Sequence, residues 1–209
     1  MSEEKEELFS KRRKGFILDP LADDNPVTVQ ILGICSALAV TAQMKPTAIM
    51  AIAVTAVVVL SNVVISLLRK MIPGRIRIIA QLAIVATLVA IVDMLLRAFD
   101  YETSKMLSVF VGLIITNCIV MGRLEAFAMG NKTWDSALDG LGNGLGYSWV
   151  ILAVAFVREL FSSGKLFGFQ LMPDSYIGNG LMSIPVGAFM VVGIIIWIQR
   201  SISGYTEEH

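Results

Sequence analysis

The chain has 209 residues, of which 56% are hydrophobic and 16% charged, with 17 Lys+Arg balancing 17 Asp+Glu. A soluble domain is about 45–50% apolar and about 25% charged, so this composition belongs to a protein that keeps much of its surface in lipid. A formal net charge of zero points to neither a nucleic-acid partner nor an acidic substrate.

Residues 1–26 form a polar tail in which SEEKEELFSKRRK precedes any apolar run. That run comes too late for a targeting peptide and lacks a small-residue cleavage site, so the first span is expected to stay in the mature protein. Roughly 20 residues of helix cross about 30 Å of hydrocarbon. Six segments of that kind occupy Val27–Met44, Thr47–Leu68, Ile76–Leu96, Leu107–Met121, Leu145–Leu160 and Leu181–Ile198. The second is the plainest, since AIMAIAVTAVVVLSNVVISLL carries no charge.

The first and fourth spans differ from the others. Thr28, Gln30, Cys35, Ser36 and Thr41 interrupt one, and Thr116, Asn117 and Cys118 interrupt the other. Such segments are ordinary spans or broken helices inside a protein-filled interior, where irregular backbone is tolerated. Six spans divide into two three-helix halves, residues 27–98 and 107–199, joined by a polar link at 99–106 and followed by a tail at 200–209. An odd number of crossings per half makes the second half an inverted repeat of the first. The expected fold is thus an all-α integral membrane protein of six transmembrane helices in two inverted three-helix repeats. With the N-terminus inside, only Lys45, Arg97, Lys105, Arg158 and Lys165 fall outside, and the other twelve basic residues are cytoplasmic. This asymmetry places both termini in the cytoplasm.

Cys35 and Cys118 are the residues with the sharpest alternatives. A free cysteine is ordinarily a small buried hydrophobe, whereas a thiolate pair selects a soft metal or an iron–sulfur centre. Two cysteines cannot complete a four-thiolate shell, so a cluster here needs the other pair from a second protein. No CxxC is present and the single histidine, His209, is the last residue, which argues against a self-contained zinc or haem site. In an inverted pair, the two cysteines would meet near the middle of the membrane.

Asn62, Gln81 and Asp93 are further polar residues inside spans. Asp93 faces the interior or the far interface, and Arg97 at i+4 makes a helix-end pair the plain account, with a cation path as the alternative. Arg123 with Glu125, and Arg158 with Glu159, read as anchoring and interfacial charges. The glycines of Asp139–Tyr147 echo GxGxxG, but a nucleotide turn needs a preceding strand. Here they imply close helix packing or a bent start to the fifth span. Trp134, Trp149 and Trp197 read as interface anchors, the 11 methionines as lipid-facing and core filler, and Gly168–Gly180 as an exposed loop or hairpin broken at Pro173.

The fourth span reads LSVFVGLIITNCIVMGR, followed by Glu125-Ala126-Phe127-Ala128. Together with Asn25-Pro26, Leu32–Thr41 (LGICSALAVT), the Asp139–Tyr147 glycines, Arg158-Glu159-Leu160 and Gly164–Gly168 (GKLFG), it resembles the NqrDE/RnfAE membrane protein family over nearly the whole chain. The wording of the fourth span and the short C-terminus favour the D-type branch of that family, found in sodium-translocating NADH:quinone oxidoreductases (Nqr).

That resemblance implies a multi-pass component of a bacterial inner-membrane complex of six subunits, A–F. The D-type and E-type components are six-helix proteins of opposite topology that pack as a pseudo-symmetric pair. Each gives two in-membrane cysteines to one shared [2Fe-2S] cluster, here Cys35 and Cys118. Gly33, Ser36, Thr116 and Asn117 are then the candidates to pack or hydrogen-bond around it. The resemblance further implies NADH oxidation on the F-type component, which carries FAD, and onward transfer to flavins (FMN and riboflavin) on other components and to ubiquinone, coupled to sodium export. No activity is expected of the isolated chain. The alternatives are an Rnf-type ferredoxin:NAD oxidoreductase membrane subunit, a stand-alone cation or small-solute transporter, and a structural subunit with inert cysteines.

Overall fold

The computed structural model describes residues 11–21, 24–99, 112–166, 169–170 and 178–203. Along the chain come α1 (Lys11–Leu18) with a 3-10 turn (Asp19–Leu21), α2 (Ile34–Val40), α3 (Met44–Leu68) and α4 (Arg77–Phe99). A helical turn at residues 112–115 precedes α5 (Cys118–Arg123), which runs on into a π-helical turn (Leu124–Ala128). Then follow α6 (Thr133–Ser163), strands β1 (Lys165–Leu166) and β2 (Phe169–Gln170), α7 (Gly180–Ser183) and α8 (Pro185–Ser203). Three of these are long and apolar enough to cross a membrane: α3, α4 over Arg77–Leu95, and α6. The chain is an all-α, multi-pass membrane protein; among the described residues the short strands β1 and β2 pair antiparallel.

α3 and α6 are the centre of the molecule, and they run antiparallel. The amide of Met44 at the start of α3 donates to Glu159 near the end of α6, Thr55 Oγ1 meets Ser148 Oγ at 3.2 Å midway, and Asn62 Nδ2 donates to the carbonyl of Ser136 at 3.0 Å near the other end. Glycines permit this approach. A Cβ on Gly140 would lie 3.1 Å from Val59 Cα, and one on Gly144 would lie 3.0 Å from Thr55 Cα. Each glycine costs a helix interior about 1 kcal/mol against alanine, and the close packing of the two helices offsets that. Hydroxyls inside the membrane bond back to their own helix, as Thr55 does to Ala51 O at 2.8 Å and Ser61 to Val57 O at 2.6 Å. Such bonds leave the hydroxyls satisfied without water.

Several expected elements take a different form. The fifth span begins at Thr133, not Leu145, so the glycines lie within a continuous helix and pack it closely, with no bent start. Trp149 consequently sits midway along α6, 66% exposed, away from any interface position. The sixth span is divided at Ile184, whose extended backbone (φ −85, ψ 158) separates α7 from α8. Pro185 explains the division, since proline disfavours helical backbone in the residue before it. Among the described residues, the first span is helical over α2 and at Met44, and the fourth at 112–115 and in α5. The fourth is interrupted at the polar Thr116 and Asn117; the first is non-helical before Ile34, where Thr28 and Gln30 lie, while Cys35 and Ser36 are inside α2. Residues 100–111, Pro173, the first ten residues and His209 lie outside the described residues.

Candidate functional site

The two interruptions face each other. Before α2, Ile31 (φ 57) and Gly33 (φ 79) turn the chain out of helical geometry. Upstream of them, Asn25 pins the incoming segment to α6. Its Nδ2 donates to the carbonyls of Pro20 and Gly146, both at 3.1 Å, and its Oδ1 accepts the amide of Val27 at 3.0 Å. Gly33 has two reasons to be glycine: its positive φ, and a Cβ that would lie 2.9 Å from Tyr147 Cε2. Before α5, Asn117 is extended (φ −66, ψ 120) and its side chain accepts from the amide of Ile119, which restarts the helix.

Across this gap the Gly33 amide donates to Cys118 Sγ at 2.8 Å. Asn117 Nδ2 donates to Ser36 Oγ at 3.2 Å, Ser36 Oγ meets the Tyr147 hydroxyl at 2.7 Å, and Ser36 donates to Gly33 O at 2.8 Å. Cys35 is in the first turn of α2 and Cys118 opens α5; their thiols lie within interaction range of each other. Both are free, with Cys35 exposed and Cys118 partly buried. Cys35 is therefore accessible at the surface of the chain. Among the described residues no group of three or more His, Cys, Asp or Glu comes together; Cys35 and Cys118 supply two thiols, and a four-thiolate shell would take two more from elsewhere.

Buried charges at either end of α6 hold the two short helices. At one end Arg123 Nε pairs with Asp139 Oδ2 at 3.0 Å and stacks over Phe127. At the other, Arg158 is 1% exposed. Its guanidinium donates to Thr41 Oγ1 at 2.7 Å and to the carbonyls of Leu38, Met182, Ser183 and Ile184 at 3.1–3.4 Å. Glu159 accepts the amide that starts α3. These charges thus anchor chain ends inside the protein, not at the lipid interface, because α2 and α7 stop against them with carbonyls that need donors. Glu125 pairs with Arg77 and accepts from Gln81 at 3.2 Å. Asp93 pairs with Arg97 at 2.9 Å, the plain account of that residue.

Counting along α6 at 1.5 Å per residue, Tyr147 is about 12 Å from Asp139 and about 16 Å from Arg158. The short helices therefore start together at the level of Tyr147 and end near opposite ends of α6. The cysteines sit between, at the level of the middle of α6.

Residues 14–196 match a family described as Rnf-Nqr subunit, membrane protein. The D component of the Na(+)-translocating NADH-quinone reductase of Aeromonas salmonicida (strain A449) is 55% identical over 193 residues, covering 90% of this chain and 92% of that protein. The D component of the same enzyme from Pasteurella multocida (strain Pm70) is 54% identical over 198 residues (92% and 95%), and that of Proteus mirabilis (strain HI4320) is 52% identical over 198 residues (92% and 95%). The chain belongs to the Rnf-Nqr family.

Of the residues expected at the site of this Rnf-Nqr subunit, the structure brings together Cys35, Cys118, Gly33, Ser36 and Asn117. Thr116 does not join them: it is exposed and its hydroxyl donates to Gly112 O at 3.1 Å. Tyr147 and Arg158 are not legible as site residues from the sequence. The available signal is the spacing of Asp139, Asn143 and Tyr147, a polar stripe at i, i+4 and i+8 on one face of a helix whose other face carries Leu141 and Leu145.

Proposed function

We propose that this chain is the D-type membrane subunit of a sodium-translocating NADH:quinone reductase. In this reading Cys35 and Cys118 hold half of a [2Fe-2S] cluster shared with a homologous E-type subunit. The observation that carries it is the meeting of the two interrupted helices, with Cys118 accepting the Gly33 amide at 2.8 Å and Cys35 in reach beside it. The exposure of Cys35 suits a shell completed from another chain. When bound, the cluster supplies a one-electron relay between the NADH-oxidising subunit and the membrane flavins.

The chain's own residues do the rest. Two thiolates ligate, and the Gly33 amide stabilises sulfur charge by hydrogen bonding. Val27, Ile119, Val150 and Ile151, all buried, exclude water around the site. The ties of Arg158 and of Arg123 with Asp139 keep both ends of the short helices closed, so this subunit separates the two membrane faces.

The antiparallel course of α3 and α6, and the divergence of α2 and α5 from one centre, support two inverted three-helix halves spanning residues 27–98 and 107–199. A six-span chain with twelve of its 17 basic residues on one side has both termini in the cytoplasm of a bacterial inner membrane.

The test is Cys118→Ala in the complex assembled with its partner subunits. Quinone reduction should stop while NADH oxidation by an artificial acceptor persists. Quinone reduction at the wild-type rate would reject the ligand role.

A further inference from the structure

Tyr147 neither ligates nor pairs with a charge, yet it is fully buried (0% exposed) at the meeting point of both interrupted helices. The geometry points to Tyr147 as the positioning residue that sets the electronic environment of the cysteine pair, acting through Ser36 and Gly33. This inference rests on the cluster reading above and goes beyond it by assigning a role to a residue on a different helix.

The hydrogen bonds have one consistent direction. Ser36 spends its only proton on Gly33 O at 2.8 Å. Its oxygen therefore accepts at both remaining contacts, from Asn117 Nδ2 at 3.2 Å and from the Tyr147 hydroxyl at 2.7 Å. Gly33, whose carbonyl receives the Ser36 proton, turns its own amide to Cys118 Sγ at 2.8 Å. Tyr147 thus donates to Ser36 and Ser36 to the Gly33 carbonyl; that carbonyl and the Gly33 N–H belong to different peptide groups, so the contacts act by fixing the Gly33 turn that aims the N–H at sulfur. Donors directed toward thiolates favour the more negative, reduced state.

The ring of Tyr147 has a separate duty. It fills the space where a Gly33 Cβ would stand, 2.9 Å from Cε2, and so holds the glycine in its left-handed turn. Hydroxyl and ring can therefore be separated by mutation.

The experiment is an EPR-monitored redox titration of the intact complex carrying Tyr147→Phe, Ser36→Ala, both together, or Tyr147→Ala. Tyr147→Phe keeps the ring, so iron content should stay at the wild-type level. The reduction equilibrium should fall by about threefold, which at 59 mV per tenfold for one electron is about 28 mV toward negative potential. Ser36→Ala should shift it the same way, and the double variant should shift it by less than the sum, because the two groups act in series. Tyr147→Ala should lose cluster iron. An unchanged potential in Tyr147→Phe, additive shifts, or loss of the cluster in Tyr147→Phe with the complex assembled would each overturn the assignment. Failure of the underlying reading is distinguishable, since Cys35→Ala and Cys118→Ala would then retain the cluster.

Discussion

The backbone amide of Gly33 donates to Sγ of Cys118 at 2.8 Å, joining segments 85 residues apart in the chain. The bond exists because Gly33 occupies φ 79, which turns its amide out of the helix that follows. Alanine at this position would meet the left-handed penalty of about 1–2 kcal/mol and a contact of 2.9 Å with Tyr147. Gly33→Ala should therefore lower iron content per complex more than it lowers subunit assembly, measured by iron assay against subunit stoichiometry.

Arg158 serves four carbonyls and Thr41 from a buried position. Replacement by methionine keeps the length and leaves those acceptors without their buried donor. Arg158→Met should destabilise the protein by about 3 kcal/mol, read as a lowered melting temperature of the detergent-solubilised complex. Arg158→Lys should recover only part of this, because an ammonium lacks the planar fork that reaches α2 and α7 together.

The Arg123–Asp139 pair is buried on both sides, with side-chain exposures of 13% and 3%. Breaking a buried pair from one side costs about 3–5 kcal/mol, since the remaining charge is left uncompensated. Asp139→Asn or Arg123→Gln alone should each destabilise strongly, and the double variant should cost less than the sum. A double-mutant cycle of thermal stabilities checks this.

Gly142 lets the backbone of α1 lie directly on α6, where an added Cβ would run into the carbonyl of Phe16. Backbone cannot step aside as a side chain can. Gly142→Ala should release α1 from α6 and leave the α3–α6 contact intact, seen as faster amide exchange confined to residues 11–21.

The sequence and the structure agree where the physics is local. α3 is legible because its long uncharged run has no other home than lipid, and the helix starts at Met44, close to the expected Thr47. The interruption at Asn117 is legible as a polar break, whereas that at Gly33 follows from a left-handed backbone that the polar pattern of the first span does not mark. What is not legible depends on partners distant in the chain. The glycines of α6 read as close packing or a bent start, but their partners, Val59, Thr55 and Phe16, are seen only in the fold. Arg158 reads as an interfacial charge until the carbonyls of α2 and α7 are found around it. Tyr147 carries no signal of its own, because its role lies in contacts with Ser36, 111 residues away, and with Gly33.

The most direct test of the shared-cluster account is an iron and acid-labile-sulfide assay with EPR of the reduced complex, comparing wild type with Cys35→Ala and Cys118→Ala. The account predicts loss of one and the same [2Fe-2S] signal, with its iron and sulfide, in both variants while all partner subunits remain assembled. An unchanged iron and sulfide count in either variant would contradict it and return that cysteine to packing.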